Sequence, residues 1–151
     1  VSHGYVRSSA GVITKFDVPG ASTTSNKATS PTNINSVGTV VGVFVNTAGQ
    51  FRAFQRTAAG VFTTFNVSGA GGTYATGINT AGTITGFCLT AKDILESFSR
   101  TSTGAMTVFE APGAGTALGT GTESFGINTG GVIVGQYLTN AGVYVGYLRT
   151  P

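Results

Sequence analysis

The sequence predicts an all-β fold of tandem four-stranded antiparallel units of propeller-blade type, and three observations carry that prediction. The first is composition: Thr, Val and Phe abound and 24 of 151 residues are Gly, a mixture that favours strands joined by tight turns over helices. The second is a phrase written three times, "NINSVGTVVG" from Asn33, "GINTAGTITG" from Gly77 and "GINTGGVIVG" from Gly126. The third is the spacing between that phrase and two others that recur in the same order.

Those others are an aromatic residue followed two places later by Arg, at Tyr5, Phe54, Phe98 and Tyr147, and "FDVPGA", "FNVSGA" and "FEAPGA" at Phe16, Phe65 and Phe109. From the aromatic to the Phe is 11 residues each time, and from the Ile of the ten-residue phrase to the next aromatic is 20 each time. Only the interval from Ala21, Ala70 and Ala114 to the following Ile varies, at 13, 8 and 13 residues. Register forbids insertions within a hydrogen-bonded ladder whereas a surface loop tolerates them, so the constant intervals read as strands and the variable one as a loop. The chain reads as one domain, 1–151, with units at about 1–21 (partial), 22–69, 70–113 and 114–151 (partial).

Four strands follow within a unit. Strand a carries the Ile-Asn, and a turn at Asn35 to Gly38, Asn79 to Gly82 and Asn128 to Gly131 leads to strand b, as in "TITGFCL". A turn near Ala48-Gly49 and Ala141-Gly142, replaced by "AKDILE" in the middle unit, leads to strand c with the aromatic and Arg. Another at Gly11, Gly60 and Gly104 leads to strand d, where alternation puts Val61, Thr63, Phe65 and Val67 on one face. Phe16, Phe65 and Phe109 are thereby core candidates.

At these residues the chain resembles the bacterial extracellular HAF-repeat family, named for a His-Ala-Phe signature on strand c. That signature reads "HGY" at His3, "RAF" at Arg52, "ESF" at Glu96 and "VGY" at Val145, so the aromatic persists while His occurs once. The likeness covers nearly the whole chain. It implies a secreted or surface-exposed protein, its export signal not in this chain, with propeller-like units and no activity to carry over.

Strand c occurs four times and the others three times, whereas a propeller closes with about 4 to 8 blades. The final a-b-c sheet therefore has an unpaired edge, and such edges recruit another chain. The expected partner is the protein itself: two chains closing a ring, with a strand near Val12 to Val18 of one completing the last unit of the other, or many chains joined head to tail. A piece of a longer protein would leave the same edge. The alternative fold is a closed three-fold monomer of β-prism or β-trefoil type.

The chemistry in the chain points to a non-catalytic, structural and self-assembling protein. His3 is the single imidazole, Cys88 the single thiol, and the five carboxylates have no ligand spacing, so no catalytic set, metal or cofactor is expected. Asp17 and Glu110 are equivalent positions in separate units and read as outward strand residues. Cys88, equivalent to Phe44 and Tyr137, reads as a buried apolar thiol. The eight basic residues form no run, which argues against nucleic acid, and no apolar stretch reaches the ~20 residues of a membrane span.

Binding candidates remain in two places. Arg7, Arg56, Arg100 and Arg149 recur at one site and could hold anions, although strict periodicity favours the structural role, each lying along a neighbouring aromatic and holding a turn carbonyl. The variable segments "STTSNKATSPTN", "GGTYATG" and "GTALGTGTESFG" read as polar loops at one rim, with Tyr74 and Phe125 as their aromatics. That composition supports the alternative function, a lectin-like module contacting carbohydrate.

Overall fold

Turns with a left-handed residue at a fixed place cut the chain into short strands. The computed structural model describes residues 1–24 and 28–151. In the ten-residue phrase, Gly38 takes φ of 79° and its N–H donates to the Asn35 carbonyl, while Asn35 N–H donates to Thr39 O. Asn79 with Gly82 and Asn128 with Gly131 do the same. In the middle unit Asp93 stands where Gly49 and Gly142 stand in the others, at φ 54°, a conformation that Asp tolerates better than most residues. The "PGA" phrase closes a further turn, Ala21 N–H donating to Val18 O with Gly20 at φ 81°.

Among the described residues there are thirteen strands and no helix. They are β1 (Gly4–Arg7), β2 (Ile13–Phe16), β3 (Thr29–Ile34), β4 (Val40–Val45), β5 (Phe51–Arg56), β6 (Phe62–Phe65) and β7 (Gly72–Ile78). After these come β8 (Ile84–Leu89), β9 (Leu95–Arg100), β10 (Met106–Phe109), β11 (Gly121–Ile127), β12 (Ile133–Leu138) and β13 (Tyr144–Arg149). Among the described residues no helix is long and apolar enough to cross a membrane.

The strands form three sheets, none of them closed. One sheet is the β1–β2 hairpin, and a second has four antiparallel strands in the order β3-β4-β5-β6. The third has seven strands: β7-β8-β9 with β10 on β9, continued by β11-β12-β13. Its two parts meet at one parallel bridge, Gly121 to Leu95. Gly121 permits it, because a Cβ there would collide with the Leu95 backbone.

Two sequence expectations need correction. The segments read as rim loops are largely strand: "GGTYATG" is almost all β7, and the second halves of the other two form β3 and β11. Ser25, Asn26 and Lys27 of the first segment lie outside the described residues. Strand d does not alternate cleanly either, since Phe62 and Phe65 are both half-buried at its two ends while Thr63 and Thr64 are exposed. Each face of the strand is covered at one end, Phe62 packing against Phe16 and Phe54, and Phe65 against Phe98.

The core lies between sequence-consecutive units. Phe16 and Val18 join Val40, Phe44 and Phe54 in one cluster; Val41, Ala53 and Val67 join Ala75, Ile78, Ile84, Cys88 and Phe98 in another. Burial consequently peaks in the middle: Ile78 is 5% exposed, whereas its equivalent Ile34 is 56% exposed.

Candidate functional site

The residues that recur most strictly build a clamp between units. Gly86 and Phe98 face each other across β8 and β9, as do Gly42 with Phe54 and Gly135 with Tyr147. Each aromatic ring rests over its glycine, where a side chain would strike both the ring and a carbonyl of the preceding strand. Against the edge of this ring stands the strand-d Phe of the preceding unit: Phe16 on Phe54, Phe65 on Phe98 and Phe109 on Tyr147, with centroids 6.2 to 6.4 Å apart and planes at 71° to 83°. These are favourable edge-to-face contacts.

The arginines complete the clamp. The guanidinium carbon of Arg56 lies 5.0 Å from the Phe16 centroid, that of Arg100 4.7 Å from Phe65 and that of Arg149 4.4 Å from Phe109. Each strand-d Phe is thus held by the aromatic and the Arg of the next strand c, one face of the cation being covered by a ring. Arg56 also donates from Nη1 to the Thr57 carbonyl at 3.2 Å. Arg7 is exposed, on the hairpin strand whose Tyr5 is 63% exposed, while Phe54 and Phe98 are fully buried.

The ten-residue phrase supplies a second link. Asn35 uses Oδ1 to accept from Thr39 N–H at 2.9 Å and Nδ2 to donate to the Asn79 carbonyl at 2.9 Å. Asn79 repeats this with Thr83 and the Asn128 carbonyl. Nearby, Thr32 donates to Ala75 O and Thr76 to Ser124 O, both at 2.7 Å. One side chain therefore closes its own turn in all three copies and, in the first two, also hooks the next unit.

Of the two aromatics assigned to loops, Tyr74 stands in β7 between Phe51 and Phe87, at centroid distances of 5.2 and 4.8 Å. Burial raises its phenol pKa. Phe125 stands in β11 at a bulge between Ser124 and Gly126, at the place held by Thr32 and Thr76 in the earlier units, and is 47% exposed. The structure does not bring these two rings together with the arginines in one cavity.

A buried hydroxyl cluster escaped the sequence reading. Tyr147 Oη lies 2.6 Å from Ser124 Oγ and 3.3 Å from Ser97 Oγ, both serines being fully buried. In the preceding unit the same three places hold Phe98, Ala75 and Ala53. The signal was present in that joint change from apolar to hydroxyl residues.

The remaining reactive groups are dispersed. His3 Nδ1 pairs with Asp17 Oδ1 across the β1–β2 hairpin at 2.7 Å, both side chains being solvent-exposed. Cys88 is buried, and desolvation, reinforced by the Glu96 charge, pushes its thiol up to about 11. Asn66 lies just past β6, its amide donating to Val67 O and Ala70 O and its Oδ1 accepting from Thr73. Among the described residues no three His, Cys, Asp or Glu gather into a cluster. Comparisons with family models, with curated proteins and with solved structures each found no match.

Proposed function

We propose that the chain is a non-catalytic, extracellular structural protein of propeller-blade-like units that assembles with itself through its unpaired terminal strands, as a ring or as a head-to-tail filament. One observation carries this reading: side chains buried between units in the middle of the molecule have exposed equivalents on its two outer faces. Val41 and Thr85 are fully buried under the following unit, and their equivalent Val134 is 48% exposed. Open strand edges and uncovered apolar faces both favour association. The extracellular assignment rests on the likeness to the HAF repeats.

Light scattering on the purified chain tests the proposal. A mass of two or more chains that dissociates on dilution supports it. A monomer with full β content at roughly 100 µM counts decisively against it.

Carbohydrate binding is the second reading, favoured by the exposed Phe125 ring, a surface on which a sugar face can stack. A glycan array compared between the wild type and Phe125→Ala tests it. Loss of one sugar class in the variant supports it, and an array without signal removes it.

A further inference from the structure

The outer face of the last three strands differs in a directed way from the corresponding face of the middle unit. In the middle unit, the positions that face the following unit are Thr76, Thr85 and Ser99. Their equivalents in β11, β12 and β13 are Phe125, Val134 and Leu148, which are 47%, 48% and 74% exposed. Val134 and Leu148 are direct cross-strand partners, and Phe125 belongs to the bulge opposite Val134. Three adjacent strands thus carry apolar side chains into solvent where the middle unit has hydroxyls, and Val41, the other interior equivalent of Val134, is apolar and fully buried.

Strand β13 also repeats the sequence of β1: "GYLR" at 146–149 against "GYVR" at 4–7. In the hairpin, β1 pairs with β2 in the register Gly4 to Phe16, Tyr5 to Lys15, Val6 to Thr14 and Arg7 to Ile13. Strands β6 and β10 pair with β5 and β9 in the same register. The Phe16 ring covers Gly4 so closely that a Cβ there would lie 2.5 Å from it, whereas the nearest atom to a Cβ on Gly146 is 4.0 Å away. Gly146 is therefore the uncovered counterpart of a glycine that Phe16 already covers.

Building on the self-association proposed above, we infer that the occupant of the β13 edge is strand β2 of a second copy, released from its own β1 and paired as Gly146 to Phe16, Tyr147 to Lys15, Leu148 to Thr14 and Arg149 to Ile13. The result is a four-stranded unit at the end of the seven-stranded sheet, β11-β12-β13 plus the incoming β2. Phe16 remains on Phe54 and Arg56 of its own chain, so only one Gly-Tyr-x-Arg strand replaces another. The exchange favours β13 because that strand is already held in a sheet by β12, whereas β1 is paired with β2 alone. It also places Val134 opposite Pro31 and Ile34 of the incoming copy, the equivalents of Ala75 and Ile78, which share a core with Val41. Ile34 is 56% exposed and the groove beside it, about 330 Å³, is lined by Tyr5, Pro31 and Val40.

Two glycine substitutions separate this junction from any other mode of association. Gly146→Val has space within the single chain and keeps wild-type β content and melting, but blocks the seat of the incoming Phe16 ring, so the oligomer peak is lost in sedimentation. Gly4→Val collides with Phe16 inside one chain, frees β2, and leaves association equal or stronger. As an independent reading, Thr14→Cys chains mixed with Leu148→Cys chains form an interchain disulfide on oxidation, and Thr14→Cys mixed with Tyr144→Cys does not. If the wild type associates and Gly146→Val associates equally well, this junction is wrong while self-association stands. If the wild type is monomeric throughout, both proposals fall.

Discussion

Phe98 lies directly across the ladder from Gly86, its ring occupying the space that a side chain on Gly86 would need. A Cβ there would stand 2.9 Å from the ring and collide with the Tyr74 carbonyl oxygen. Since a strand backbone cannot yield without breaking its ladder, Gly86→Ala is expected to destabilise the protein by roughly 3 kcal/mol. Gly71→Ala, whose new methyl meets only the Leu89 carbonyl oxygen at 3.8 Å, should change stability by under about 0.5 kcal/mol. Urea unfolding of the two variants measures the difference, and equal costs would refute the packing role given to the ring.

The hydroxyl cluster around Tyr147 allows a compensated test. Tyr147→Phe removes the partner of Ser124 and Ser97 and leaves two buried hydroxyls unpaired, at a cost of about 1–3 kcal/mol. The triple variant Tyr147→Phe, Ser97→Ala, Ser124→Ala recreates the trio Phe98, Ala53 and Ala75 found one unit earlier, all within a single apolar cluster. It should regain most of the loss. Thermal denaturation of the single and triple variants decides the matter: a triple variant weaker than the single one would mean that the cluster is not held by its hydroxyls.

Much of this architecture was legible in the sequence, and the reason is register. Because insertions cannot enter a ladder, the constant 11- and 20-residue intervals located strands c, d, a and b correctly, and the left-handed glycines located their turns. Partners were harder to read. Arg100 stacks on Phe65 of the preceding unit, and spacing reports the period of a contact without saying which two copies make it. Tyr74 and Phe125 were misplaced for a related reason: the length change of five residues before strand a coloured the whole segment as loop, although the segment's second half keeps strict strand spacing. The Phe-to-Tyr and Ala-to-Ser exchange was visible letter by letter, and only aligning units by face would have joined its three members.

Asn79 performs two tasks at once, and truncation should expose both. Asn79→Ala leaves the part-buried Thr83 N–H without its side-chain acceptor and removes one of the two donors to the Asn128 carbonyl, which keeps Gly131 N–H, an expected loss of about 1–2 kcal/mol. Asn128 is exposed and accepts from Val132 N–H within its own turn. Asn128→Ala should cost no more than about 1 kcal/mol. Hydrogen exchange adds spatial detail: Asn79→Ala should speed exchange in both β7 and β11, and Asn128→Ala only in the β11–β12 turn. Equal stability losses would remove the link between units from the account.

Cys88 gives a dependence on pH whose sign follows from its burial. Its thiol is pushed from an ordinary 9.0 up to about 11 by desolvation first, then by the Glu96 charge, with a hydrogen bond to the Glu96 backbone pulling the other way. Below pH 9 the thiol is neutral in both states and contributes its full packing. Between about 9 and 11 the unfolded chain has released the proton that the folded chain still holds, so unfolding is favoured increasingly as pH rises. The advantage of the wild type over Cys88→Ala should therefore shrink by about 2–3 kcal/mol across that window, since other groups titrate alike in both proteins. Denaturant titrations of the pair at pH 7.5, 9, 10 and 11 measure it. A constant difference would show that the folded thiol ionises as readily as the unfolded one, as would rapid reaction of the native protein with a thiol reagent, which a buried, protonated sulfur should resist until the chain opens.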